Sequence, residues 1–314
     1  MFAKRALLIL LPLLISTVDA AAADRRSVDA PAKQQLTVDG SERRYVVDGA
    51  PRVLQGRRKV PLVLVLHGGG GNAAITMRMT GFSELAKREG FIVAYPEGTG
   101  PTRNMLLTWN STHCCGTGMR KDMDEARFIR MLIDKLAADY PVDTGRVFVT
   151  GMSNGGMMSH QLAIALADRI AGLAPVVGAL FGDEALPALP VPAIIFNGML
   201  DRSVKYEGGL TDGRGRRAWD GTPTLPALAQ NAFWARANGC SGPAEVLEDN
   251  ATMTLLKHHC PNGNDVVHYV LKKSGHAWPG GKRGSRAGDE PDSAVDATTL
   301  IWQFFKGLPA KHRA

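Results

Sequence analysis

The 314-residue sequence is poor in cysteine, with only four, and it holds no dense run of one charge and no repeat of fixed period. Each shortage excludes something. Without a C-x-x-C pair a zinc site has no support, so no metal is expected. The net charge of +7 is mild, and the basic residues are scattered, as at Arg43, Arg44, Arg57, Arg58, Arg216 and Arg217. With neither a basic stripe nor interleaved aromatics, nucleic acid is not an expected partner. Neither G-x-x-x-x-G-K-[ST] nor a ribose-binding G-x-G-x-x-G unit occurs, so no nucleotide cofactor is expected. The apolar stretch over residues 6–18 falls short of the roughly 20 residues a spanning helix needs. No Thr/Ser/Pro-rich linker sets off a second module. With 45% hydrophobic and 21% charged residues the chain can bury a sizeable core, which excludes a disordered or fibrous protein.

The short apolar stretch has a second reading. Lys4 and Arg5 precede it and four alanines at 20–23 follow, which is the layout of a cleaved secretory leader. Residues 1–22 are therefore expected to be a signal and 23–314 a single domain, secreted or periplasmic. In an oxidising compartment four cysteines can pair in three ways. Cys240 with Cys260 is the favoured pair, since closing such a loop contributes roughly 3 kcal/mol. Cys114 and Cys115 are adjacent, and neighbouring Cα atoms lie closer than a disulfide usually spans.

Strand and helix patterns alternate along the chain. Pro61-Leu-Val-Leu-Val-Leu66 is continuously apolar, as a strand buried on both faces should be. Residues 91–95, 147–150, 193–196 and 266–271 repeat that character. Phe128, Met131, Leu132 and Leu136 share one helical face, and 81–88, 155–167 and 298–305 read as further helices. Residues 208–226 and 280–292 read as surface loops. The alternation predicts an α/β fold with a mostly parallel sheet and helices on both faces.

Gly151-Met-Ser-Asn-Gly155 is a G-x-S-x-G pattern between the strand 147–150 and the helix 155–167. That context places Ser153 on a sharp elbow with its Oγ at the carboxyl edge of the sheet. A serine hydroxyl is a weak nucleophile and needs a base, which in turn needs an orienting group. For this chain order the acid and then the histidine should follow the serine. Of eight histidines, His276 lies in a glycine-rich loop just past the strand ending at Leu271. Asp201 follows the strand 193–196, with Asp183 and Glu184 as rivals. Two backbone amides must meet the developing oxyanion. Asn154 follows the nucleophile, and Gly69 is chosen from His67-Gly-Gly-Gly-Gly71, with Gly68 and Gly70 close behind. Trp278 and Trp109 are candidates to line a substrate pocket.

These motifs stand in register with others: Tyr95-Pro-Glu-Gly98, Trp109-Asn110, Cys114-Cys-Gly116, Val142 through Ser159, Asp201 through Tyr206, Asn238-Gly-Cys240 and Gly275-His-Ala-Trp-Pro-Gly-Gly281. The series resembles the secreted esterase family of polyhydroxybutyrate depolymerase-like, feruloyl and acetyl-xylan esterases, over roughly residues 36–305. The resemblance implies an α/β-hydrolase fold and a serine carboxylesterase with Ser153, His276 and Asp201 as its triad. One departure is Asn197-Gly198, where the family usually has His-Gly before the acid. The family's extracellular polymer depolymerases add a linker and a binding module, whereas this sequence ends nine residues past Phe305. Soluble esters or oligomers are therefore expected over crystalline polymer. A prolyl-oligopeptidase-type peptidase, a non-catalytic polymer binder and an acyltransferase are the competing readings.

Overall fold

A computed structural model describes residues 31–212, 214–286 and 288–311, so the expected leader lies outside the described residues. In chain order the strands are β1 (Lys33–Val38), β2 (Ser41–Asp48), β3 (Val60–Leu66), β4 (Ile92–Pro96), β5 (Val142–Met152), β6 (Ile170–Val176), β7 (Ala193–Gly198), β8 (Glu245–Asp249), β9 (Met253–His258) and β10 (Val266–Leu271). The helices are α1 (Pro51–Leu54), α2 (Ala73–Thr80), α3 (Phe82–Glu89), α4 (Gly116–Arg120), α5 (Glu125–Asp139), α6 (Asn154–Ala165), α7 (Ala227–Ala237) and α8 (Ala297–Gly307).

The strands form one sheet in the order β1-β2-β4-β3-β5-β6-β7-β10-β9-β8. The central run from β4 to β10 is parallel, and the hairpin strands at both edges are antiparallel. The mostly parallel sheet expected from the sequence is thus observed, with antiparallel margins added.

The apolar run of β3 is divided by strand periodicity. Leu62, Leu64 and Leu66 join a core with Phe128, Leu132 and Leu136 of α5, Leu162 of α6 and Trp234 of α7. Val63 and Val65 join a second core with Phe82 and Leu85 of α3 and Ile301 and Phe305 of α8. Both faces of β3 are therefore covered, which is why polar residues are absent from it. Helix α5 begins where the Asp124 carboxylate accepts the Arg127 N–H at 2.8 Å, a cap worth about 1 kcal/mol.

Two disulfides are present, Cys240–Cys260 as expected and also Cys114–Cys115. The vicinal pair is buried against Met157, Phe181 and Val204. Among the described residues, no helix is long and apolar enough to cross a membrane and no group of His, Cys, Asp and Glu could hold a metal ion.

Candidate active site

Strands β3, β5, β7 and β10 run parallel, so their carboxyl ends share one edge of the sheet. The four loops leaving that edge carry the glycines at 68–71, Ser153, Asp201 and His276.

Ser153 has φ 59° and ψ −123°, a conformation that disfavours an L side chain. Only tight packing on both sides can hold it. A Cβ on Gly155 would lie 2.5 Å from the His67 carbonyl oxygen and 2.6 Å from that of Leu66, so only glycine lets α6 approach β3 here. The Ser153 amide donates to the Val176 carbonyl at 2.9 Å, which ties the elbow to β6.

His276 Nδ1 donates to Asp201 Oδ2 at 2.7 Å, so in the neutral ring it is Nε2 that can accept a proton. The other Asp201 oxygen accepts the amides of Ser203 and Val204, both at 2.8 Å, so its orientation is fixed from two sides. The rival carboxylates are engaged elsewhere. Asp183 binds His113 Nε2 at 2.9 Å, and Glu184 accepts the Phe181 and Gly182 amides.

Gly70 and Gly71 have committed their amides, to Leu107 and Gly68 carbonyls at 2.8 and 2.9 Å. Gly69 packs beside Asn154, where an added Cβ would lie 3.7 Å from the Asn154 Cβ. The Asn154 amide, first in α6, has no intrahelical acceptor. Its side chain is occupied: Oδ1 accepts the Trp109 amide at 2.8 Å, and Nδ2 donates to Ser111 Oγ at 3.1 Å.

His67 supports this loop in a way that sequence patterning alone does not reveal. Its Nε2 accepts the Gly98 amide at 2.9 Å, so Nδ1 carries the proton and donates to the Gly68 carbonyl at 2.8 Å. Burial pushes its pKa down to about 4, keeping the ring neutral. Trp109 is fully buried beneath it, with its indole N–H on the His67 carbonyl at 2.9 Å, and it does not border the cavity. Trp278 does border the cavity, yet it is 1% exposed and its indole N–H is held by Thr298 Oγ1 at 2.9 Å. Both tryptophans that sequence position nominates as pocket walls are thus packed into the body of the domain.

Ser153 and His276 open onto one cavity of about 290 Å³, walled by the 68–71 glycines, Ile75, Met79, Met152 and, from one segment, residues 282–285, 288, 289 and 291. That segment, expected as a plain surface loop, is strapped to the histidine loop. Asp289 Oδ2 accepts the His276 amide at 2.7 Å, and Asp292 Oδ2 accepts Ser274 Oγ–H at 2.7 Å. Gly275 permits this, since a side chain there would collide with the Asp289 carboxylate.

The family model for the PHB depolymerase esterases matches residues 45–212. The chain belongs to this esterase family. It is a carboxylesterase-family hydrolase. Feruloyl esterase B of Piromyces equi is 31% identical over 249 residues, covering 77% of this chain but only 44% of that protein. NocK of Nocardia uniformis subsp. tsuyamanensis, a candidate esterase, is 31% identical over 265 residues, covering 79% of this chain and 74% of that one. The acetyl xylan esterase from Aspergillus awamori shares the fold, with a TM-score of 0.57 at 15% identity over 88% of this chain and 99% of that one. At the position before Asp201 where the resemblance implies His, the chain has Asn197, whose Oδ1 accepts from His268 Nε2 at 3.0 Å. An imidazole thus adjoins that position, supplied by the neighbouring strand β10.

Proposed function

We propose that the chain hydrolyses soluble carboxylic esters by a two-step serine mechanism, with Ser153 as nucleophile, His276 as base and Asp201 as its orienting acid. The observation that carries this reading is the His276–Asp201 bond of 2.7 Å facing a strained serine across one cavity. His276 Nε2 takes the Ser153 proton as Oγ attacks the ester carbonyl, and the Gly69 and Asn154 amides stabilise the oxyanion. The imidazolium returns the proton to the leaving alcohol. Water, deprotonated by the same nitrogen, then cleaves the acyl-enzyme. Asp201 holds the imidazole's tautomer.

A cavity of 290 Å³ is at the small end for ligand sites and has an apolar wall of Ile75, Met79 and Met152. This supports a hydroxyalkanoyl or phenolic acyl group rather than a long chain. The reading includes an extracytoplasmic location, supported by the leader-like segment and the two disulfides. The test is a fluorophosphonate probe. It is expected to label Ser153 stoichiometrically and to abolish p-nitrophenyl butyrate hydrolysis in parallel. Inactivation with label on another residue overturns the assignment.

Asp289 acts through the backbone of the base. Asp289→Ala is expected to lower kcat about 10-fold to 100-fold with KM nearly unchanged, because a misplaced imidazole loses transition-state interactions first. Asp289→Asn keeps an acceptor oxygen and should recover most of the rate. An unchanged kcat in Asp289→Ala, with Tm also unchanged, would show that the strap does not position His276.

A further inference from the structure

A second cavity of about 210 Å³ lies beside the first, and the two share Met79 and Lys282. Arg78 from α2, Arg88 from α3 and Lys282 border it, against one carboxylate, Asp296. Asp296 is committed to capping α8, accepting the Thr299 amide at 3.2 Å and Thr299 Oγ1–H at 2.8 Å. Arg78 gives an N–H to a neutral acceptor, the Gly284 carbonyl, at 3.3 Å. Among the described residues no ion pair engages Arg78, Arg88 or Lys282.

The neighbouring carboxylates have other partners. Glu89, next to Arg88, accepts from Trp302 Nε1 and Lys306 at 3.1 and 3.0 Å. Glu84 pairs with Lys87 at 3.3 Å, and Glu290 with Arg283 at 2.7 Å. Asp289 is bound to the His276 amide. Lys282 is fixed at its base, its amide donating to the Met79 carbonyl at 2.9 Å. The second cavity therefore holds an uncompensated excess of positive charge, and an apolar methionine separates it from the cavity of Ser153.

A neutral ester makes no use of such a wall. Cationic groups around a cavity that shares Met79 and Lys282 with an ester-cleaving cavity fit a substrate with its scissile ester at one end and an anion at the other. We propose that the Arg78–Arg88–Lys282 cavity is a carboxylate subsite, and that the preferred substrates are hydroxy-acid oligoesters with a free acid end. This rests on the esterase reading of Ser153. The alkyl segment joining ester to carboxylate would lie over Met79.

The experiment compares the 3-hydroxybutyrate trimer, as free acid, with its methyl ester, using p-nitrophenyl butyrate as the neutral control. At low salt the free acid is expected to show a KM about tenfold below that of the methyl ester. The gap should close near 1 M salt, where the Debye length is about 3 Å. Arg88→Gln should raise KM for the free acid about 5-fold to 10-fold and leave the methyl ester unchanged. Lys282→Gln should raise it as well. Equal handling of acid and methyl ester, equal weakening of both by Arg88→Gln, or cleavage of p-nitrophenyl butyrate but of neither trimer overturns the subsite alone. Failure to cleave any of the three overturns the esterase reading with it.

Discussion

Ser153→Ala is expected to lower kcat for p-nitrophenyl butyrate by about 10⁶-fold while leaving the fold intact. The covalent route is lost, and only the oxyanion amides and substrate binding remain to accelerate attack by water. A second substitution separates chemistry from structure. Holding a non-glycine residue in the Ser153 conformation costs roughly 1–3 kcal/mol, and its φ is 59°. Ser153→Gly relieves that strain, offset by roughly 0.4–1 kcal/mol of added unfolded-state entropy. The glycine variant should therefore be as inactive as the alanine variant and at least as stable as the parent. Activity and stability are expected to move in opposite directions, because the proposed nucleophile is held in a backbone conformation that costs stability. A wild-type rate in either variant, or a Tm several degrees lower for Ser153→Gly, contradicts this role for the elbow.

The parts of this arrangement readable from the sequence are those that are local. Strand β3 is legible because a strand buried on both faces admits few polar residues, and α5 because Phe128, Leu132 and Leu136 recur at helical spacing. Ser153, Asp201 and His276 each sit in a short motif just past a strand. Strand β6 escapes such a reading, since its sequence Ile-Ala-Gly-Leu-Ala-Pro-Val contains two residues that ordinarily break strands. The β1–β2 hairpin had an available signal in Asp39-Gly40, whose φ values of 48° and 75° suit a tight turn between twisted strands. Its flanking runs carry polar residues such as Arg43 and Arg44, so an apolar-run criterion passes over it. Asp289 and His67 were not legible because their roles depend on where distant loops meet. The two tryptophans divide: Trp278 borders the cavity of Ser153 with its indole N–H held by Thr298, whereas Trp109 lies away from that cavity with its indole N–H on the His67 carbonyl.

Acidification is expected to unfold the protein well before most of its carboxylates are neutralised, and the reason is three wholly buried imidazoles. His67, His160 and His268 are at most 1% exposed. Burial pushes their pKa values down to about 4, about 4 and about 3. His160 is held neutral between Trp234 Nε1–H at 2.9 Å and Gln230 Oε1 at 2.8 Å, with no carboxylate beside it to favour a charge. In the unfolded chain a histidine titrates near 6.5. Above that pH neither state is protonated and the three groups leave stability unchanged. Between about 6.5 and 4 the unfolded state binds protons that the native state refuses, so stability falls as pH falls. Each group contributes about 1.4 kcal/mol per pH unit, so the slope near pH 5.5 should approach 4 kcal/mol per unit. Two pH units at that slope match the whole stability of a typical domain. His113 works the other way. Burial opposes its charge, but bonds to Asp183 and Asp220 outweigh it and raise its pKa, so its contribution is present at low pH and lost as pH rises. It offsets at most a part of the acid loss. Urea melts from pH 7.5 to 4.5 measure the slope directly. A stability that stays flat between pH 6.5 and 5 would mean that these imidazoles accept protons in the native state, and hence that the polar bridges under α6 and the 68–71 loop open far more readily than their burial implies.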